Sequence, residues 1–417
     1  MLRSRHLARQ RGAVAIVVAL SMAVLIGFVG LALDTGKLYV AKTELQNSAD
    51  ACALAAAQEL TTATPLAVSE AAGITTGRMH NVLFQQYQIE LASDAAVTFS
   101  SALNGPYVTK DSISPLAATF VRCDVTREQI PTWLMHVLNM IPGVEITPTT
   151  VSARAVASRV PAQTNCALPV ALCSTAVNPL SPPAAGTWIQ GAIGPSGGQN
   201  AGSGGLTGNF KWVDFTPPAG GASELGQMLT SPGTCNLPST GAEVGQPGNV
   251  SSAANDWNSR FGIYQGNVQP EAAIPDFTGY AYTELTWPAQ FNAFDDFRAR
   301  RAANAPYQTN AVTGLNARGN ISGADFLSQN GADRRLAVAP IVDCAGFASG
   351  STAPVVNWAC VLMLHPINNS AGGSGTGADR MWLEYRGLSS ELGSPCASLG
   401  VPGGANSQGP MVPTLVQ

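Results

Sequence analysis

The stretch AVAIVVALSMAVLIGFVGLAL, residues 13–33, decides how this chain is organised. It contains no charged side chain, and a helix of this length, at about 1.5 Å per residue, spans roughly 30 Å, the thickness of a bilayer's hydrocarbon core. We therefore predict a transmembrane helix over residues 13–33. The side chains expected to anchor it in lipid are spaced along the run: Ala13, Ile16, Leu20, Leu25, Phe28 and Leu33.

The charges that flank this run predict its direction in the membrane. Four arginines precede it: Arg3, Arg5, Arg9 and Arg11. Beyond it, within residues 34–44, two lysines are balanced by two acidic side chains. Because basic residues are retained on the cytoplasmic side, residues 1–12 are expected to form a cytoplasmic tail, with the rest of the chain on the far side of the membrane.

Two kinds of N-terminal processing compete with a retained anchor. A cleaved signal peptide usually has an apolar core of about 7–15 residues and an A-x-A-like site, whereas this run is longer and no such site follows it. Cleavage of the prepilin type, after Gly12, would normally be accompanied by Glu at the fifth mature position, where this sequence has Val17. The retained anchor is the favoured interpretation, and cleavage at Gly12 stays open.

The helical pattern does not end with the apolar run. Small and apolar side chains recur at steps of three and four residues, which lines one face of a helix: Leu38, Ala41, Leu45, Ala49 and Ala56. We predict a stalk helix over residues 34–62 that continues the membrane helix. Two uses of its apolar face are open, packing on the chain's own domain or contact with other subunits, and the second makes it a candidate site of self-association.

Four short motifs mark the apolar run and the stalk. Arg11-Gly12 precedes the run, and Leu33-Asp34-Thr35-Gly36 stands at its end. They are followed by Leu45-Gln46-Asn47-Ser48-Ala49-Asp50-Ala51 and by the alanine-rich residues 53–57. Together these motifs, over about fifty residues, resemble the N-terminal module of TadE/TadG-like proteins of the tight-adherence (Flp) pilus assembly systems. A looser resemblance extends to residues 151–157, 208–212 and 334–340.

The resemblance implies a bacterial inner-membrane protein whose partners are other subunits of a pilus or secretion apparatus. Many TadG relatives carry a von Willebrand A domain with a D-x-S-x-S metal site. The nearest approach in this chain is Asp111-Ser112-Ile113-Ser114, which has isoleucine at the third position. The chain is therefore expected to be a variant without that metal site.

The remainder of the chain predicts an α+β fold class with two parts. Residues 63–162 are expected to form a small, pilin-like unit with an antiparallel sheet. Its predicted helices cover residues 65–80 and 130–141, and its strands cover residues 97–103, 118–126 and 149–160. Residues 163–417 are expected to form a larger β-rich, loop-rich domain. It would contain a linker rich in Gly, Ser, Pro and Ala over 179–208 and strands over 335–344, 358–365 and 381–386. The middle strand is almost continuously apolar and is therefore expected to be central.

All eight cysteines follow the apolar run: Cys52, Cys123, Cys166, Cys173, Cys235, Cys344, Cys360 and Cys396. An even number beyond a membrane segment favours disulfides in an oxidising compartment, and buried free thiols are the alternative. Eight cysteines allow about a hundred pairings, so only the local pairs Cys166–Cys173 and Cys344–Cys360 are offered as candidates.

Composition and motifs give no indication of catalysis, metal binding or nucleic-acid binding. Charged residues make up 12% of the chain and the net charge is −4, which does not provide the basic face that a nucleic-acid partner requires. No two of the four histidines have a metal-ligand spacing. A formal G-x-S-x-G at residues 194–198 lacks the strand and helix that a nucleophile elbow needs. We predict no catalytic residue, no cofactor, no metal site and no nucleic-acid partner.

These observations favour a non-enzymatic, membrane-anchored component of a tight-adherence pilus or related secretion apparatus. Its partners would be the lipid bilayer, other pilus or secretion-system subunits, and further copies of itself. Two alternatives belong to other classes. One is a membrane-tethered periplasmic hydrolase or glycan-binding protein with its site within residues 166–417, and the other is a surface adhesin released from the membrane.

Overall fold

The chain folds as two compact units, one formed by Met1–Arg159 with Pro413–Gln417 and the other by Val160–Val412. The computed structural model describes residues 11–61, 64–91, 95–132, 134–135, 139, 143, 145, 147–193, 206–208, 210–216, 221–231, 235–245, 253–349, 352–367, 380–404 and 406–417. The last five residues, expected in the larger domain, belong to the first unit, where the amide of Val416 donates to the carbonyl of Val156 over 2.8 Å.

The first unit begins with one continuous helix of 48 residues, which confirms that the apolar run continues into a stalk. Its helices are α1 (Arg11–Gln58) and α2 (Leu66–Gly77). Its strands are β1 (Asn81–Val82), β2 (Tyr87–Gln88), β3 (Val97–Ser100), β4 (Phe120–Ile130) and β5 (Thr149–Thr164), and β5 ends beyond the boundary between the units. The predicted helix over 130–141 lies largely outside the described residues, and its first residue, Ile130, is the last of β4.

The core of the first unit is a helix laid on an antiparallel sheet of the order β3–β4–β5. The far half of α1 packs on β4 and on α2. On the buried sheet face, side chains of β4 stand opposite alanines of β5, in the pairs Val121–Ala157, Cys123–Ala155 and Val125–Ala153. Because alanine projects so little, the helix can approach the sheet closely. The polar/apolar alternation predicted for β5 is found up to Ala155, whereas residues 155–158 are all buried.

The second unit carries most of the strands. They are β6 (Val170–Cys173), β7 (Trp188–Ile193), β8 (Leu206–Gly208), β9 (Phe210–Trp212), β10 (Glu243–Gly245), β11 (Ile263–Tyr264), β12 (Asn320–Ile321), β13 (Leu336–Val342), β14 (Thr352–Met363), β15 (Arg380–Leu388) and β16 (Ala397–Pro402). Its helices are α3 (Gly221–Thr230), α4 (Ala253–Ser259), α5 (Phe294–Ala302), α6 (Asn310–Thr313), α7 (Ala324–Asn330) and α8 (Gly346–Ser349). The last strand of the chain, β17 (Met411–Leu415), pairs with β5.

The main sheet of the second unit has the order β8–β7–β15–β14–β13–β6–β9, with β10 added to β14. The apolar strand predicted to be central is β14, which lies between β13 and β15 as expected. All seven residues of β13 are buried, and alternate side chains enter two different apolar clusters, so both faces of the sheet are covered. The predicted linker over 179–208 is wrong in part, because β7 pairs with β15 inside it.

Four disulfides correct the local pairings predicted from the sequence. The bonds are Cys52–Cys123, Cys166–Cys235, Cys173–Cys344 and Cys360–Cys396. The expected pairs Cys166–Cys173 and Cys344–Cys360 are wrong because the bonded residues are neighbours in space and not in sequence. The parallel pairing of β6 with β13, for instance, sets Cys173 beside Val342, two residues before Cys344.

Replacing Cys52 and Cys123 together by alanine should destabilise the first unit by about 2–4 kcal/mol, because their bond removes a long loop from the unfolded chain. In the full chain in detergent, amide hydrogens of β4 and β5 should then exchange faster. The matched control replaces Cys360 and Cys396 by alanine, which should speed exchange in β13 and β14 and leave β4 unchanged. Unaltered exchange of β4 in the first variant would contradict this role of the bond.

Candidate functional site

The first half of α1 presents apolar side chains in all directions. The predicted anchor residues are 60–67% exposed within the structure: Ile16, Leu20, Leu25, Phe28 and Leu33. Ala13 lies in α1, but its side chain is outside the described ones. Among the helices that the structure describes, α1 is the one long and apolar enough to cross a membrane. A helix that is apolar all round needs an apolar surrounding, and the described residues of the first unit leave these five side chains largely uncovered.

Two charged residues at the end of the apolar run hold a short segment of the first unit against the helix. One carboxylate oxygen of Asp34 accepts the backbone N–H groups of Leu134 and Met135, at 2.9 and 2.7 Å. The ammonium group of Lys37 donates to the carbonyl of Pro131 at 2.6 Å. Both side chains are buried. We call Pro131, Thr132, Leu134 and Met135 the exit segment.

A glycine one turn before Asp34 lets the exit segment approach. A Cβ atom at Gly30 would lie 2.9 Å from the Cβ of Leu134, which is closer than such atoms come. Gly30, Asp34 and Lys37 are spaced by four and three residues, so they share one face of α1. Sequence reasoning treated Asp34 and Lys37 as balancing charges and missed this contact, although the spacing was the signal that could have found it.

The stalk face predicted for subunit contact packs inside the first unit. Ala41, Leu45, Ala49 and Ala56 are completely buried, and Leu38 packs against the same cluster. The structure therefore corrects the use of this face as an intersubunit surface and supports the other interpretation, packing on the chain's own domain. The physical reason is that α2 and β4 cover the face at close range.

Polar residues of the stalk also bind backbone groups of their own unit. Gln46 donates to the carbonyl of Arg154 on β5 at 2.9 Å, and Lys42 donates to the carbonyl of Ser152. Ser48 donates to the carbonyl of Gly77 at the end of α2, at 2.9 Å. Gln46 and Ser48 belong to the motif of residues 45–51, so these hydrogen bonds give its polar residues a structural role. They fix α1 to β5 and to α2.

One side of the stalk stays accessible. Its exposed residues follow each other at steps of four along α1 and form what we call the outer ridge: Thr35, Tyr39, Thr43 and Asn47. Tyr39 is 71% exposed, although it carries an aromatic ring. The outer ridge is a part of the stalk that stays exposed in the structure and that another protein can reach.

Arg334 and Arg335 are adjacent in sequence, and both take part in hydrogen bonds that involve backbone groups of the second unit. The carboxylate of Asp276, which is fully buried, accepts the amides of Arg334 and Arg335 at 2.9 and 3.0 Å. The guanidinium of Arg335 donates to four backbone carbonyl groups and lies 4.3 Å from the ring centre of Phe261. Burial lowers the pKa of Arg335 to about 10. Nothing in the local sequence pointed to Asp276 as the partner of these arginines.

The histidines and acidic residues do not assemble a metal site. Within the part of the chain that the structure describes, no group of three or more His, Cys, Asp or Glu side chains could hold a metal ion. His365 is fully enclosed, and this burial lowers its pKa to about 4. His136 and the G-x-S-x-G pattern of residues 194–198 lie outside the described residues.

The buried His365 makes the stability of the second unit depend on pH. Its pKa is about 4 in the folded chain and about 6.5 in the unfolded chain. The unfolded chain therefore binds more protons as the pH falls from about 6.5 towards about 4, and stability is lost in that window. Between pH 7.5 and pH 5, this residue should cost about 2 kcal/mol of unfolding free energy.

Urea unfolding of wild type and of the His365→Gln variant at both pH values measures this cost as the difference between their pH dependences. His80→Gln, in the first unit, is the control. An equal loss of stability in wild type and in the His365 variant would contradict the assignment.

Residues 12–59 match the family model described as "Putative Flp pilus-assembly TadE/G-like". The match spans α1 almost exactly as far as the structure extends it, and it confirms the resemblance carried by the motifs in residues 11–57. The looser resemblance of residues 151–157, 208–212 and 334–340 lies outside it. No curated protein and no solved structure matches the chain. The family match and the exposed apolar helix together suggest a membrane-anchored protein, and residues 12–59 of this chain are similar to the TadE/G-like module of Flp pilus assembly.

Proposed function

We propose that this chain is a structural component of a tight-adherence (Flp) pilus or related secretion apparatus, anchored in the bacterial inner membrane by residues 13–33. Residues 1–12 lie in the cytoplasm and both folded units lie in the periplasm. The observation that carries the proposal is the continuity of α1, whose exposed apolar half carries on into the core of a folded unit. The four disulfides support the periplasmic side, since such bonds persist in oxidising compartments.

The role is structural and not catalytic. The buried charged side chains of Asp276 and Arg335 in the second unit form hydrogen bonds with backbone groups, and this supports a structural role for them. The eight cysteines are bonded in pairs and so present no thiol. Partners are other subunits of the apparatus, and the outer ridge of the stalk is the surface at which they bind. The apolar face of the stalk is covered by α2 and β4 and cannot bind a second copy of the chain. Contact with other subunits, including further copies, is therefore proposed at the outer ridge.

The proposed direction predicts which side of the membrane each end can be labelled from. Single-cysteine variants Ser4→Cys and Leu116→Cys report the two sides, since Leu116 is 79% exposed in the first unit. A membrane-impermeant maleimide added to intact spheroplasts should label the second variant and spare the first until the membrane is opened. Labelling of Ser4→Cys from outside would overturn the orientation. The intact mass of the same samples distinguishes a retained N-terminus from one cut after Gly12.

Arginine at two positions of the outer ridge, Thr43→Arg with Asn47→Arg, should reduce pilus assembly strongly in a strain that lacks the native chain. Both positions are exposed and arginine favours helix, so the fold should be kept. The readout is the amount of pilus sheared from the cells, normalised to the amount of this protein in the membrane. The matched control is Leu116→Arg, an exposed position off the helix, which should leave assembly unchanged.

Normal piliation by the ridge variant would overturn the ridge as a contact surface. A substitution such as Leu45→Lys does not test it, because Leu45 is completely buried and a charge there would disrupt the core.

A further inference from the structure

We propose that the exit segment is a second membrane contact, lying on the lipid surface of the leaflet at the end of the apolar run, on the same side as the first unit. This inference rests on the proposed anchoring of α1. The exit segment is Pro131, Thr132, Leu134 and Met135, and it is held on α1 by Gly30, Asp34 and Lys37.

Leu134 lies beside α1 close to the end of the apolar run. Its side chain lies against Gly30, which precedes the last residue of the apolar run by three positions, or about 4.5 Å along the helix axis. If residues 13–33 span the hydrocarbon core, Leu134 lies at the depth where acyl chains begin. About two-fifths of Leu134 remains exposed in the structure (38%), so apolar surface is left for lipid to cover.

Three backbone groups of the exit segment form hydrogen bonds with side chains of α1. Backbone N–H and C=O groups that leave water for the edge of a bilayer need partners within the protein. The amides of Leu134 and Met135 find one in the carboxylate of Asp34, and the carbonyl of Pro131 finds one in Lys37. The two charged side chains nearest the hydrocarbon thus satisfy three backbone groups of the segment that reaches it.

The composition of the exit segment also suits contact with lipid. None of the four residues of the exit segment is charged, and two of them, Leu134 and Met135, have long apolar side chains. A second contact beside the helix would restrict the tilt and rotation of α1 in the bilayer, which such interfacial anchors determine. It would thereby fix how the first unit stands on the membrane.

The structure provides the means to test this contact, because no free cysteine competes with a single introduced one. Three variants of the full chain are labelled with an environment-sensitive nitrobenzoxadiazole probe: Leu134→Cys in the exit segment, Val18→Cys in the anchor and Leu116→Cys on an exposed loop. They are reconstituted in phosphatidylcholine/phosphatidylglycerol vesicles that carry a nitroxide either near the headgroup or near the chain end.

The probe at position 134 should lose fluorescence to the shallow nitroxide more than to the deep one. The probe at position 18 should respond more to the deep nitroxide, and the probe at position 116 to neither. Two further substitutions release the segment by different routes: Asp34→Ala removes the acceptor of two amides, and Gly30→Val fills the space that Leu134 occupies. Each should abolish the quenching at position 134, and Gly30→Val does so without removing a helix-forming residue.

The outcomes separate this inference from the proposed anchoring. Quenching at position 18 without quenching at position 134 overturns the second contact and leaves the anchor in place. Absence of quenching at both positions overturns both. A probe at position 134 that is shielded from aqueous iodide but not quenched by either lipid overturns the lipid contact in favour of a second copy of the chain. Quenching that survives both Asp34→Ala and Gly30→Val overturns the holding role of α1.

Discussion

The close packing of α1 on β4 and α2 is the contact on which the rest of the first unit depends. It requires small side chains on both surfaces, and the chain supplies alanine on the helix face and on β5, with the Cys52–Cys123 bond joining helix to sheet. The glycines of α2 serve the same end, since a Cβ atom at Gly73 would lie 3.0 Å from that of Ala56. Buried apolar area per residue is modest in such a core, so the disulfide compensates for what alanine does not provide.

The same helix meets two surroundings, and the change between them occurs within two turns. Residues 13–33 carry no charge on any side of the helix, whereas from Leu38 onward one side is polar and another is apolar and buried. Asp34 and Lys37 lie at the change and are used by the exit segment. Gly36 stands between them with open space around it, and nothing in the structure explains it. An unbroken helix across this change ties the orientation of the first unit to that of the anchor.

Periodicity in the sequence predicted a stalk helix over residues 34–62, and α1 ends four residues earlier, at Gln58. It also predicted which face is apolar, but not what covers that face. A stripe such as Ala41, Leu45 and Ala49 has the same pattern whether its partner is in the same chain or another. Disulfide pairing failed for a related reason: Cys173 meets Cys344 through a parallel strand pairing that local sequence does not encode. β7 was hidden by its glycine-rich surroundings. The apolar strand β14, whose signal is local, was placed correctly in the centre of its sheet.

Three charged residues of the stalk bind groups within the chain, and this restricts how a partner can recognise the outer ridge. Lys37 and Lys42 donate to backbone carbonyls, and Glu44 accepts the amides of Phe84 and Gln85, both at 3.2 Å. What remains on the outer ridge is a tyrosine, two threonines and an asparagine, none of which is charged. Charged surfaces attract partners over a Debye length and lose that attraction in salt, whereas a ridge of this composition acts only on contact. Recognition there therefore depends on shape and on hydrogen bonds, and it should be insensitive to ionic strength, as suits a subunit already concentrated in a membrane.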